Sequence, residues 1–429
     1  MSPSEGRHTA VSFEHELAET CAGGGTLFVG GKPGAHRKTV EAYARFRYAH
    51  HGVFSLRSKR TRLAQVGVVY SVPTMLYQSY IPLANTPAMN NLAGIARTLE
   101  ECRMPYDIVL FHHPDLRKKR VTAASLQKYR LLILPAVECI SDVQAQAVTA
   151  YLRKGGTLGI LDRVGRRDEN NRLRSKSLVN TWKKAGRVVS LLDEERFPYC
   201  RARYKNATAA MAKAMQNLEQ LIGARRLLSA SWPARLWVKS WVHDARFLSL
   251  HFVNYQITGQ GKRRKASAPF PLTISLPTQI PAEEARWLTP GAAPKQLKFE
   301  LKDNSVTCTI PAVDGYGVLV IGRQEAEQRL SLLLAGDHLV QRLQFGGHAD
   351  AHRQRLERLV GMRDSQSIEE LEAYARECMA LLKKAVDQGD AAFLTSARGI
   401  ADAGGVLRAF DFGAEGKHQG WQAVRPATA

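Results

Sequence analysis

Three runs along the chain are apolar without alternation and too short for helices: Val66–Tyr70, Asp107–Phe111 and Leu131–Leu134. A fourth follows at Thr157–Leu161. Such runs, rich in branched residues, predict buried parallel strands. Between the first two, Leu92, Ile95, Ala96 and Leu99 recur at i, i+3, i+4 and i+7, one helix face able to cover a sheet. Between the last two, Ser141 with Gln144 three residues on predicts a capping box, and Gly155-Gly156 predicts the end of that helix. A further strand is expected at Arg187–Leu192 and an amphipathic helix over Ala207–Leu228. This rhythm predicts a doubly wound α/β domain over residues 63–235 with right-handed crossovers, its ligand expected beyond the carboxyl ends of the strands. Those ends carry Tyr70-Ser71, His112-His113, Pro135 to Cys139, and Asp162-Arg163.

From Leu236 the period changes to two. Leu248, Leu250 and Phe252 alternate with Ser249, His251 and Val253; Leu272, Ile274 and Leu276 follow the same rule, as do Leu297, Phe299 and Leu301. Val306, Cys308 and Ile310 continue it and Tyr316–Ile321 closes it, so residues 236–323 read as a small sandwich of half-buried antiparallel strands. Residues 324–402 return to helical spacing, with Ser367 and Glu370 as a capping box. Residues 403–429 begin another β domain at Val406–Phe412, with Trp421 beyond it. Ahead of the α/β domain, residues 1–62 read as a helix at Phe13–Cys21, a glycine-bracketed strand within Gly23–Gly31 and a cationic helix at Thr39–His50.

Length and composition narrow the function classes. A chain of 429 residues, 45% hydrophobic, is long enough for several cores. No apolar run is long enough to cross a bilayer and the start has no signal-peptide pattern, so no membrane partner is expected; the compartment stays open. Six scattered cysteines, Cys21, Cys102, Cys139, Cys200, Cys308 and Cys378, suggest neither a zinc site nor a redox dithiol, and no metal or cofactor is expected. The net charge of +22 invites a polyanion, yet the basic runs at Arg57–Arg62, Arg117–Arg120, Arg163–Lys176 and Lys262–Lys265 fall in separate loops without interleaved aromatic residues. That distribution argues against specific nucleic-acid binding.

The chemistry expected of a doubly wound domain is missing. Ser71-Val72-Pro73-Thr74 follows the first strand where a dinucleotide site would show glycines, and no Walker sequence occurs. His112 and His113 sit at a strand end where a general base could act, but a loop pair hydrogen-bonded to the backbone or to Asp115 explains them better. Cys139 lacks the glycine-flanked elbow of a nucleophile. In "DRVGRRDENN", Asp162, Asp168 and Glu169 are interspersed with arginines such as Arg163, which suits a salt-bridged turn or a binding surface better than paired catalytic carboxylates. The residues retained for ligand or subunit contact are therefore His112, His113, Asp162, Arg163, Asp168 and Glu169; none is assigned to catalysis.

"RFRYAHHGVFS", "RLAQVGVVYSVPT" and "YRLLILPAVECISDVQAQAVTAYLRKGGTLGILDRVGRRDENNR", with "LSLHFVNY" and "IPAVDGYGVLVIG", resemble the non-catalytic part of family 42-type β-galactosidases. The resemblance runs over roughly Gly23–Gly322 and implies an α/β fold: a flavodoxin-like or class I glutamine-amidotransferase-like parallel sheet, followed by a small antiparallel β-sandwich and a helical C-terminal region. It identifies residues 1–62 with the end of a (β/α) barrel, the α/β domain with the family's trimerisation domain, and residues 403–429 with the start of a galactose-binding-like domain. It implies a homo-oligomer, a trimer, with carbohydrate as partner. The family's two catalytic glutamates would lie upstream of Met1, and Glu14, Glu16 and Glu19 do not replace them. With Leu161 and Asp162 where an amidotransferase would place its cysteine, that activity is not implied either. The expected function is thus a non-catalytic portion of a modular glycoside hydrolase; the alternatives are a stand-alone sugar- or anion-binding scaffold and a polyanion binder.

Overall fold

The computed structural model describes residues 10–25, 36–54, 60–78, 86–116, 121–191, 216, 218, 220–221, 226–243, 246–258, 263–277, 280–323, 325–331 and 373. They fall in two compact units, Arg62–Ala230 with Leu272–Leu276, and Met1–Thr61 with Ser231–Pro271 and Pro277–Ala429. The chain opens with helices α1 (Ala10–Gly23), α2 (Arg37–Ala49) and α3 (His51–Phe54) and a short strand β1 (Arg60–Arg62). The strand expected within Gly23–Gly31 lies, beyond Gly25, outside the described residues. So do the capping box at Ser367, the strand at Val406–Phe412, Trp421, Cys200 and Cys378.

The first unit is a five-stranded parallel sheet of β2 (Val66–Ser71), β3 (Tyr106–Phe111), β4 (Leu131–Pro135), β5 (Thr157–Leu161) and β6 (Arg187–Ser190). Their spatial order is β3-β2-β4-β5-β6, or 2-1-3-4-5 counted along the chain, one of the two common doubly wound orders. Interleaved are α4 (Val72–Tyr77), α5 (Pro87–Glu101), α6 (Ala123–Leu126), α7 (Asp142–Arg153) and α8 (Leu178–Ala185). Strand alternation divides the core. Val66, Val68, Leu131 and Ile133 meet Ile95 and Leu99 of α5, whereas Val69, Leu132, Leu134 and Leu158 meet Val148, Leu152 and Trp182 of α7 and α8. Burial of each such side chain contributes about 1.5–3 kcal/mol.

The predicted capping box opens α7: Gln144 N–H donates to Ser141 Oγ (3.3 Å) and Ser141 N–H to Gln144 Oε1 (3.0 Å). The helix ends at the expected glycines. Gly155 takes φ 88°, and a Cβ on Gly156 would lie 2.3 Å from the Tyr151 ring, so only glycine fits. Leu228, expected to close a helix, instead starts β7 (Leu228–Ala230), which pairs antiparallel with Leu272–Ile274.

The second unit is built on antiparallel pairing. After β8 (Leu236–His243) and β9 (Phe247–Asn254) come two minor strands, β10 (Ile257–Thr258) and β11 (Arg263–Arg264), then β12 (Phe270–Ser275), which from Leu272 on belongs to the first unit, and β13 (Glu284–Leu288), β14 (Lys295–Gln296), β15 (Phe299–Lys302), β16 (Ser305–Ile310) and β17 (Tyr316–Gly322). The main sheet runs β1-β8-β9-β17-β13-β14, with Leu250 opposite both Ser240 and Leu319. Helices α1 to α3 cover one of its faces. Phe13, Leu17, Tyr43, Phe46, Val53 and Phe54 share a cluster with Phe247, Val253, Tyr316, Val318 and Val320.

That cover corrects the reading of half-buried strands. All eight residues of β9 are buried, including Ser249 and His251, because the helices pack over the face expected to meet water. Leu301 is corrected in the opposite sense: it is 52% exposed, on a hairpin pairing β15 with β16 whose outer strand is largely exposed.

Candidate functional site

In an open sheet of this order the ligand crevice lies where connections turn in opposite directions, here between the carboxyl ends of β2 and β4. Those ends are joined to each other. Ser71, the last residue of β2, caps α4 by accepting from Thr74 N–H (3.2 Å) while its own hydroxyl donates to the Cys139 carbonyl (2.9 Å). Thr74 Oγ1 accepts from Cys139 N–H (2.9 Å) and lies 3.0 Å from Ser71 Oγ. Ser71, Thr74 and Cys139 are all buried, and the network satisfies every hydroxyl in it. Burial, reinforced by the Glu138 charge, pushes the Cys139 thiol up to about 12, so it stays protonated and is no nucleophile near neutral pH.

The loops after β4 and β5 lie side by side. Gly165 N–H donates to Val137 O (2.9 Å), Arg167 N–H to Glu138 O (3.1 Å) and Ile140 N–H to Arg167 O (3.1 Å). Two non-glycine residues enter the left-handed region as these loops begin, Ala136 at φ 51° and Asp162 at φ 55°. Asp162 thus occupies a strained strand-to-loop turn of the kind that displays nucleophiles, but it carries a carboxylate there.

The residues retained from the sequence spread along this edge instead of converging. His112 offers its carbonyl to Gln144 Nε2 (2.8 Å), and His113 Nδ1 accepts from Asp115 N–H (3.3 Å) with the Asp115 carboxylate 3.7 Å away. Asp162 and Arg163 are exposed. Asp168 turns inward on its own loop, its Oδ1 accepting from Asn170 N–H (3.0 Å) and Arg172 N–H (2.8 Å). Glu169 is half-buried beside it. The ion pairs of the loop belong to other residues: Arg167 lies 3.5 Å from Glu138 and stacks over Tyr77 at 4.7 Å, and Arg174 donates to Asp142 (2.6 Å) and to the Ile140 carbonyl. Ser71, Thr74, Tyr77 and Glu138 are not among the residues assigned to ligand or subunit contact from the sequence. The legible signal was Ser71 three residues ahead of Thr74 with Pro73 between, an N-cap pattern.

A second polar cluster lies within the core of the antiparallel unit. His243 Nε2 is 2.8 Å from Ser249 Oγ, which is 2.9 Å from His251 Nε2, and His251 Nδ1 is 2.6 Å from the Tyr316 hydroxyl. Burial, with Arg60 nearby, lowers the His243 pKa to about 3 and keeps it neutral. Among the described residues no group of three or more His, Cys, Asp or Glu could hold a metal ion.

No family model and no curated protein matches the chain. Among solved structures it is similar to alpha-L-fucosidase isoenzyme 2 from Paenibacillus thiaminolyticus, with TM-score 0.50 and 16% identity, covering 73% of this chain and 57% of that one. Also matched are a GH42 beta-galactosidase from G. stearothermophilus (TM-score 0.43, 10% identity, 70% of this chain and 46% of that one) and the beta-galactosidase from Bacillus circulans sp. alkalophilus (0.43, 12%, 68% and 46%). The chain spans about half the length of these structures. It has a glycoside hydrolase-like fold, with a parallel five-stranded sheet, antiparallel sheets and helices.

Proposed function

We propose that this chain is a non-catalytic portion of a β-galactosidase-like glycoside hydrolase, and that its work is assembly, with carbohydrate as the substrate of the assembled enzyme. One observation carries the reading: the crevice where a doubly wound domain binds its ligand is occupied by the Ser71, Thr74 and Cys139 hydrogen bonds. Retaining glycoside hydrolysis needs two carboxyl groups about 5–5.5 Å apart. At this sheet edge Asp168 is committed to its own turn, and Glu138 faces Arg167. The flavodoxin-like strand order and the antiparallel module after it fit the same reading.

Subunit contact has a place to occur. Edge strand β3 presents Ile108 and Leu110 outward at 40% and 42% exposure, and exposed apolar positions on a sheet edge favour association. Light scattering on the purified full chain is expected to give a homotrimer, and Ile108→Lys with Leu110→Lys to shift it toward monomer. A β-galactoside assay on the same protein is expected to show no turnover. Turnover at ordinary glycosidase rates, or a monomer at tens of micromolar, would overturn the proposal.

A further inference from the structure

Helices α7 and α8 and the residues leading into α8 border an open surface groove of about 540 Å³, lined by the exposed Arg153, Lys176, Ser177, Asn180, Thr181 and Lys184 and the half-buried Thr149 and Ala185. Among the described residues no carboxylate and no aromatic ring lines it. Arg153, Lys176 and Lys184 have no carboxylate partner among the described residues, unlike Arg167 and Arg174 nearby, which face Glu138 and Asp142.

The hydrogen-bonding inventory of the wall is specific. Arg153, Lys176 and Lys184 are pure donors. Ser177 Oγ accepts from Asn180 N–H (3.4 Å), which leaves its hydroxyl proton available, and the Asn180 side-chain amide adds two donors and one acceptor. Thr149 and Thr181 differ. Their protons go to the carbonyls of Ala145 (2.8 Å) and Ser177 (3.3 Å), so toward the groove they have only lone pairs. A complementary ligand therefore carries multiply charged oxygen acceptors and also hydroxyl donors.

We infer that this groove binds an anionic saccharide, its sulfate or carboxylate groups held by Arg153, Lys176 and Lys184 and its ring hydroxyls donating to Thr149 and Thr181. A nucleic acid shares the charge, but its bases need stacking partners that this wall lacks. The inference is independent of the assembly reading above, because the lining residues belong neither to the sealed crevice nor to β3.

The test is calorimetric titration of the full chain with a sulfated disaccharide, its desulfated counterpart, inorganic sulfate and a thymidine oligonucleotide, at low and moderate salt. The sulfated disaccharide is expected to bind best, more weakly as salt rises. Arg153→Ala with Lys184→Ala is expected to weaken it at least tenfold while leaving circular dichroism unchanged. Lys295→Ala with Lys302→Ala, exposed cations of the antiparallel unit, should have no effect. Equal binding of the desulfated sugar or of inorganic sulfate, tighter binding of the oligonucleotide, or indifference to the groove substitutions would each overturn the inference.

Discussion

Asp168 illustrates how a carboxylate in a promising place can be tied through one oxygen to its own backbone. Both hydrogen bonds of its Oδ1 are local, to Asn170 and Arg172, and its main chain pairs with Arg172 O and Asn171 N–H as well. Asp168→Ala is expected to lower the urea midpoint by an amount equivalent to about 1 kcal/mol, whereas Asp168→Asn, which keeps an acceptor, should lose less. Sequence showed that carboxylates and arginines crowd this loop but could not tell which would pair. Glu138 and Asp142, the acids that meet Arg167 and Arg174, lie about thirty residues earlier, and only the side-by-side course of the two loops brings them close. Cys139 gives a second expectation at this scale. With its thiol buried and pushed up to about 12, peptide mapping after iodoacetamide at pH 8 should find it unmodified in the native protein and alkylated in urea.

At the scale of elements, legibility followed the number of faces each element buries. Helix α7 was readable end to end, since its cap, its apolar stripe and its stop are encoded locally. Strands β2, β4 and β5 were readable because they are buried on both sides and written almost wholly in apolar residues, whereas the exposed Ile108 and Leu110 of β3 and the exposed Arg187 and Ser190 of β6 show that the two edge strands are covered less completely. Strand β13 escaped notice because it carries Glu284 and Arg286, which pair with each other at 3.2 Å, while Arg286 also reaches the buried Glu327 at 3.0 Å. A charge pair completed by a partner some forty residues away leaves no period in the sequence. Turn chemistry gives a prediction here. Gly165 sits at φ 63°, and a Cβ on it would lie 3.0 Å from Leu178 Cδ1 and 3.1 Å from Leu178 Cβ, the start of α8. Gly165→Ala is expected to cost about 1–3 kcal/mol, read as a lowered denaturation midpoint.

For the molecule as a whole, the two units should respond differently to acid. His243 is neutral when folded, with a pKa near 3 against an ordinary value of 6.5. Its folded value is the lower one, so the unfolded chain takes up the extra proton as pH falls. The stability His243 permits is complete above pH 6.5 and is lost progressively between about 6.5 and about 3. Protection factors, with the slower intrinsic exchange at low pH divided out, should therefore fall at pH 4.5 relative to neutral pH in peptides from β8 and β9, with less change in β2 and β4. His243→Phe should flatten the difference, and its persistence in that variant would assign it to other groups. This could not have been anticipated from period-two spacing, which gives the side a residue faces but not that helices α1 to α3 would cover it.

The chain of His243, Ser249, His251 and Tyr316 has one consequence at long reach. If Tyr316 donates to His251 Nδ1, the donors run in order through Ser249 to His243 Nε2, and the His243 proton is left on Nδ1, a buried atom with no partner among the described residues. If the order is reversed, His243 donates from Nε2 and the Tyr316 proton becomes the unmatched one. The four groups thus act as a compass needle with two headings, and the tautomer of one imidazole, read by nitrogen NMR, reports which way a phenol three links away is pointing.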